Sequence, residues 1–200
     1  MNNERRMPLC GARFLKRMID VVLSFLGLIV LSWQQSIIAI AIVLDDPSPV
    51  MFLQKRVGIN KTCFQLHKFR SMKMSMPHDM PTHMLKNPEQ YITMIGRFLR
   101  KFSLDELPQI WDIFIGKMSI IGPRPALWNQ EDLIAERDKY YANDIRPGLT
   151  DWAQINGRVE LEIEEKAKPD GDYAAILHAG GIKAFLLDCR CYVGSAFAVA

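Results

Sequence analysis

Cysteine is scarce in this 200-residue chain and follows no pattern. Cys10, Cys63, Cys189 and Cys191 form no C-x-x-C pair and have no histidine at zinc-finger distance, so neither a disulfide scaffold nor a structural zinc site is indicated, and a reducing compartment is expected. The glycine-rich phosphate loop, the G-x-G-x-x-G fingerprint, the G-x-S-x-G elbow and the H-E-x-x-H zinc helix are all missing, as is any internal repeat. Two further absences are local. Residues 21–44 carry no charge, and residues 51–76 carry no acid while holding Lys55, Arg56, Lys61, Lys68, Arg70 and Lys73. Intrinsic disorder is excluded by a 49% hydrophobic composition with ten Phe, four Trp and five Tyr.

The uncharged run Val21–Leu44 is long enough, at roughly 1.5 Å per residue, to cross a hydrocarbon core of about 30 Å. Both flanks are basic, however, with Arg13, Lys16 and Arg17 before it and the acid-free stretch after it, and the positive-inside rule draws both ends to the same side. The centre of the run, Ser32-Trp33-Gln34-Gln35-Ser36, is its most polar part. A helix that enters, bends and returns satisfies both facts, and a spanning helix with a polar kink remains the alternative. A cleaved signal peptide fits less well, because Asp45-Asp46-Pro47-Ser48-Pro49 follows in place of a small-residue cleavage site.

Beyond Pro49 two β-branched and aromatic runs joined around Gly58 and Asn60 read as a hairpin, and period-2 alternation puts Phe64, Leu66, Lys68 and Arg70 on one face. Those two cations require an anion, or else snorkel to water or lipid headgroups. Residues 72–94 hold six of the eleven methionines with Pro77, Pro81 and Pro88, an irregular linker; His78 and His83 in it have no companion ligands. Tyr91–Phe102 reads as a helix with Ile92, Ile95, Phe98, Leu99 and Phe102 on one face. Ser103 and Glu106 have capping-box spacing, so a second helix is expected to start at Ser103 with Asp105 and Glu106 in its first turn, where the helix dipole favours ionised acids; Pro108 sits awkwardly in that turn. The C-terminal stretch Ile182–Val199 suits an amphipathic surface helix or a core helix equally.

A carboxylate that attacks phosphorus needs cations to neutralise the phosphate. Arginines follow the acid pair in three rigid turns, Gly122-Pro123-Arg124-Pro125, Arg146-Pro147-Gly148 and Gln154-Ile155-Asn156-Gly157-Arg158. Each is a place where a planar guanidinium can meet phosphate, or a surface turn with a solvated arginine.

Lys16-Arg17 with Asp20, LHKFRSM at 66–72, SLDELPQIWDIF at 103–114, MSIIGPRP at 118–125 and RPGLTDWAQINGR at 146–158 together resemble the bacterial sugar transferase family, the monotopic polyprenyl-phosphate phosphoglycosyl transferases. The resemblance extends more loosely through Tyr173, Asp188 and Tyr192. It implies an α+β fold, a mostly helical cytoplasmic domain with a small β-hairpin over residues 50–200, anchored by a re-entrant membrane helix in residues 1–49 and by amphipathic surface helices. It implies an enzyme on the cytoplasmic face of the bacterial inner membrane that moves a sugar-1-phosphate from a UDP-sugar to undecaprenyl phosphate and releases UMP. In that mechanism Asp105 is the nucleophile and Glu106 holds Mg²⁺, with Lys68, Arg70, Arg124, Arg146, Gln154 and Arg158 expected at phosphate or substrate. Membrane lipid is an expected partner, nucleic acid is not, and a homo-oligomer is left open. Two positions depart from the family pattern: Ser32-Trp33 where a Ser-Pro pair usually breaks the helix, and Asp151 where glycine is usual. The alternative is a non-catalytic membrane-bound relative that scaffolds glycan assembly.

Overall fold

The computed structural model describes residues 10–74, 88–151, 163–180, 184 and 186–192. The uncharged run forms two helices, α1 (Cys10–Val30) and α2 (Ser32–Asp45), bent by 58° at Leu31. No proline makes this bend. The backbone ladder runs through it, Leu31 N to Gly27 O at 2.9 Å and Gln35 N to Leu31 O at 2.9 Å. Ser32 Oγ donates to Ile29 O at 2.7 Å and Ser36 Oγ to Ser32 O at 2.9 Å, the serine back-bonding that bends helices. No single described helix is long and apolar enough to cross a membrane, but the bent pair passes that test together by length and composition. Phe25, Leu26, Ile29, Val30, Trp33, Ile37 and Ile40 are all exposed along it, far more contiguous apolar surface than a water-facing helix pair carries.

Both ends of this pair are tied to the rest of the chain. On α1, buried Asp20 accepts from Ser119 Oγ at 2.7 Å, Ile120 N at 3.1 Å and Tyr192 Oη at 3.1 Å, and Lys16 pairs with Asp188 at 3.1 Å. Arg17 donates to the carbonyls of Ile113 and Phe114 at 2.7 and 2.8 Å. At the other end Asp45 Oδ2 accepts from Ile95 N at 2.9 Å, and buried Arg70 grips Asp46 through its side chain and its carbonyl, both at 2.6 Å. Ile38 and Ile42 of α2 pack with Phe69 and Leu99 in a small apolar core.

The expected hairpin forms: β1 (Met51–Val57) pairs antiparallel with β2 (Cys63–Phe69), Met51 opposite Phe69 and Val57 opposite Cys63. The connection is a 3-10 turn at Ile59–Lys61 in which Asn60 takes φ 51°, a left-handed conformation asparagine tolerates. The helix expected over Tyr91–Phe102 is shorter, α3 (Met94–Lys101), because Thr93 caps it by accepting from Gly96 N at 2.9 Å. Its apolar residues divide: Leu99 is buried, while Met94, Phe98 and Phe102 face outward as a second stripe. The helix expected to start at Ser103 does not. Ser103 adopts φ 53° and caps nothing, Asp105 and Glu106 lie in a 3-10 turn (Leu104–Glu106), and α4 (Gln109–Phe114) begins only after Pro108. Proline has no N–H to give and is tolerated only in a helix's opening turn, so the helix restarts at it.

A second sheet pairs β3 (Ser119–Ile121) in parallel with β4 (Gly148–Thr150), with α5 (Glu131–Asp138) in the crossover. The two strands meet at glycines: a Cβ on Gly148 would lie 2.1 Å from Gly122 N. Finally α6 (Ile163–Ala179) brings Tyr173 and Ala174 into a core with Ile121, Ile145 and Cys191. Cys191 and Ala184 are buried while Leu186 and Arg190 are exposed, so the described part of the C-terminal stretch has one buried and one outward face, which fits either reading of the sequence. The mixture of helices with two small sheets is the α+β fold expected. Cys63 and Cys189 are free thiols.

Candidate active site

Glu106 is the centre of the site. Lys68 Nζ, reaching from β2, lies 2.8 Å from Glu106 Oε1, and Arg124 bonds the same oxygen from the GPRP loop. The side chain is only 17% exposed, and burial alone would raise its pKa, yet Arg124 and Lys68 outweigh this and hold the carboxyl below its ordinary range. Its neighbour Asp105 goes the other way. Burial raises the Asp105 carboxyl, Glu106 adds to that, and Lys68, its own backbone N–H and Arg100 oppose it. The site thus holds one carboxylate whose pKa is lowered beside a second whose pKa is raised. The dipole of an α-helix does not produce this split, since the acids precede α4; burial raises Asp105, and the cations of β2 and the GPRP loop lower Glu106.

Arg124 is presented by a loop fixed on every side. Gly148 N donates to Pro123 O at 2.9 Å, Gly122 N to Thr150 O at 3.1 Å and Val57 N to Ala126 O at 2.9 Å. Two arginines hold the remaining carbonyls, Arg137 on Arg124 O and Arg56 on Pro125 O, each at 2.9 Å. Arg137 is itself buried against Asp170 at 2.7 Å. Burial pushes the Asp170 carboxyl up to about 6 against the pull of Arg137, with Asp151 adding to the rise.

Of the residues expected at phosphate, Lys68 and Arg124 therefore join Asp105 and Glu106. Arg70 is directed to Asp46 at the end of α2, and Arg146 donates through Nε to Gly116 O at 3.1 Å, lining a cavity of about 310 Å³ with Lys16, Arg17 and Asp20. Neither bonds to the acid pair. Gln154 and Arg158 lie outside the described residues. Alternation placed Lys68 and Arg70 together, but Arg70 is one residue past the end of β2, where the chain turns to α2.

Arg56 escaped the reading of the sequence. It shares a hairpin face with Lys68, and burial followed by the nearby charge of Arg124 lowers its pKa to about 10. Its signal was present in the acid-free stretch, but only the strand register reveals that Arg56 and Lys68 look the same way. With Arg56, Lys68 and Arg124 against Asp105 and Glu106, the cluster carries one excess positive charge, a setting for an anionic ligand.

As for a metal, no group of three or more His, Cys, Asp or Glu is gathered among the described residues. Mg²⁺, however, is commonly held by one or two carboxylates with substrate phosphates completing its shell, and Glu106 offers that much, since both cations bond Oε1.

Residues 11–197 match the family model described as bacterial sugar transferase. The chain is 42% identical over 163 residues to the UDP-glucose:undecaprenyl-phosphate glucose-1-phosphate transferase of Escherichia coli (strain K12), covering 80% of this chain and 35% of that protein. It is 35% identical over 148 residues to the UDP-N-acetylgalactosamine-undecaprenyl-phosphate N-acetylgalactosaminephosphotransferase of Aeromonas hydrophila, covering 71% and 34%. To the exopolysaccharide production protein PSS of Rhizobium leguminosarum bv. phaseoli it is 32% identical over 188 residues, covering 90% and 92%. The chain thus spans about a third of the first two relatives and nearly the whole of the third. With the acid pair, the GPRP arginine and the broken apolar helix found in one structure and the family model matching almost end to end, the chain belongs to the bacterial sugar transferase family.

Proposed function

We propose that the protein transfers a sugar-1-phosphate from a UDP-sugar to undecaprenyl phosphate at the cytoplasmic face of the bacterial inner membrane. The observation that carries the proposal is the Asp105–Glu106 pair set in a cradle of Lys68, Arg124 and Arg56. The Asp105 carboxylate attacks the β-phosphorus of the UDP-sugar, the bond from that phosphorus to the bridging oxygen breaks, and UMP leaves. An oxygen of undecaprenyl phosphate then attacks the same phosphorus, the bond to Asp105 breaks, and the carboxylate is restored with the sugar diphosphate now on the lipid. Each step sets an anion against an anion, so the work of the site is neutralisation. Arg124 and Lys68 supply fixed positive charge, and Glu106 anchors both while offering a ligand to Mg²⁺. When bound, Mg²⁺ neutralises the diphosphate oxygens and stabilises the departing phosphate. The raised pKa of Asp105 marks a more basic, more nucleophilic carboxylate than an exposed one.

The bent pair of α1 and α2 supports a re-entrant anchor, because Lys16 and Arg17 near one end and Asp45 and Asp46 at the other all bond to elements of one domain. The outward stripe Met94, Phe98 and Phe102 suits a helix lying in the interface.

The test is UMP release by detergent-purified protein given Mg²⁺, undecaprenyl phosphate and a panel of UDP-sugars that includes UDP-glucose and UDP-N-acetylgalactosamine. Release that requires sugar, lipid phosphate and Asp105, and is abolished by Asp105→Asn, is the expected result; release unaffected by Asp105→Asn overturns the mechanism. For topology, Cys10 and a Pro49→Cys variant are expected to label from the same side of the membrane, and labelling from opposite sides ends the re-entrant anchor.

A further inference from the structure

Asp112 of α4 is fully buried, and both its oxygens are taken by one residue. His67 N donates to Oδ2 at 2.9 Å, and His67 Nδ1 lies 2.8 Å from Oδ1. No step of the transfer reaction uses either side chain. The placement is nevertheless specific. His67 immediately precedes Lys68, and Asp112 follows the Asp105–Glu106 turn through the short passage over Pro108, so the two pairs, His67–Asp112 and Lys68–Glu106, join the same strand to the same stretch of chain.

β2 pairs with β1 on one edge, and the His67 N–H on the other is satisfied by a side chain instead of a strand. Sliding β2 along α4 would leave a carboxylate with no exposed surface without donors, and a buried charge stripped of its partners is among the more costly defects a fold can carry. A slip of one residue would also send Lys68 to the opposite face. The far end of α4 is held as firmly, by Arg17 on the carbonyls of Ile113 and Phe114.

We propose that His67 and Asp112 are a positioning pair for the anion site: by locking β2 to α4 they keep Lys68 Nζ on Glu106. The role rests on the transferase reading only for its effect on turnover, and the position of Lys68 can be measured without it.

The first readout is the acylation rate of Lys68 in the intact protein in detergent micelles, by limiting acetic anhydride and peptide mass spectrometry, with the similarly shielded, ion-paired Lys16 as one reference and the exposed Lys117 as the other. In His67→Phe, which keeps only the backbone half of the tie, and in Asp112→Leu, which loses both halves, the Lys68 amine is expected to react at least about five times faster while Lys16 stays protected, since the change is confined to the tie beside Lys68. Asp112→Asn, which can still accept from His67 N–H and donate to the ring, and His67→Gln, which keeps a donor, are expected to stay within about twofold of the unmodified chain. The second readout is turnover: kcat falls about tenfold in His67→Phe with KM for the UDP-sugar within about twofold, as misplacement of a charge near the reacting phosphorus requires. Lys68 equally protected in folded His67→Phe and Asp112→Leu overturns the proposal, as does a parallel loss of protection at Lys16, which would mean general loosening. Absence of UMP release by the unmodified protein counts against the transferase reading alone, because the acylation result stands without it.

Discussion

Replacing Gly148 with alanine tests how the GPRP loop is held. A Cβ at that position would lie 2.1 Å from Gly122 N, 2.5 Å from Gly122 O and 2.6 Å from Gly122 Cα, all backbone atoms that cannot swing aside. Reaching ordinary contact requires β3 and β4 to part by roughly 1 Å or more, beyond what a normal hydrogen-bond length tolerates. The bonds at stake are Gly148 N to Pro123 O at 2.9 Å and Gly122 N to Thr150 O at 3.1 Å. Each buried group left unpaired costs about 1–3 kcal/mol, so the expected destabilisation from the two bonds is about 2–6 kcal/mol, and at about 2–4 °C per kcal/mol the midpoint falls by roughly 4–24 °C. Because Arg124 leaves Glu106 with the loop, UMP release should fall more than about tenfold even where the variant is folded. Gly27→Ala is the control, since its Cβ meets only the end of Ile110 at 3.6 Å. Differential scanning calorimetry in micelles and the release assay read both effects. A Gly148→Ala midpoint no lower than that of Gly27→Ala would refute the close approach of the strands and with it the account of why Arg124 is rigid.

Three further outcomes follow from named contacts. Arg56→Lys is not conservative here, because a shorter, compact ammonium does not reproduce the planar fork that places two N–H groups on Gln54 Oε1 and a third on Pro125 O; a loss of about 1–3 kcal/mol in urea unfolding and reduced turnover are expected, and an unchanged midpoint argues that the guanidinium contacts do not stabilise the fold. Leu99→Ala empties the junction where α3 meets α2 at Ile38 and Ile42, with an expected cost of about 2–5 kcal/mol, checked by the same unfolding experiment; a cost under about 1 kcal/mol would mean the helix pair is not packed on this core. The Asp170 carboxyl, pushed up to about 6 by burial, binds a proton more readily folded than unfolded, so its contribution to stability is full below about pH 4 and is lost as pH rises through about 6. Asp151→Asn, which removes a charge that raises the Asp170 carboxyl, should shrink that loss; identical pH–stability curves for Asp151→Asn and the unmodified chain between pH 4 and 7 would count against the coupling.

Local chemistry made much of this molecule legible in one dimension. The hairpin around Gly58 and Asn60 and the break in the uncharged run follow from alternation, turn residues and local polarity, which act over a few neighbouring positions. The helix start that capping-box spacing suggests at Ser103 gives way for a reason of the same kind: that spacing and Pro108 make opposite demands within six residues, and the proline prevails because it cannot be accommodated by rotating a side chain.

Pairing between distant cations and carboxylates was not legible at all. Arg70 and Lys68 are equivalent by alternation, yet one reaches Asp46 and the other Glu106; Arg146 follows the acid pair in sequence yet turns to Gly116; and Arg56 and His67, inconspicuous in the sequence, hold the GPRP loop and α4. Periodicity and turn propensity are properties of a short segment and so survive in the order of residues. Which charges meet depends on strand register and on how α1, α4 and β2 pack, contacts between residues 24 to 172 positions apart, and only folding brings those together.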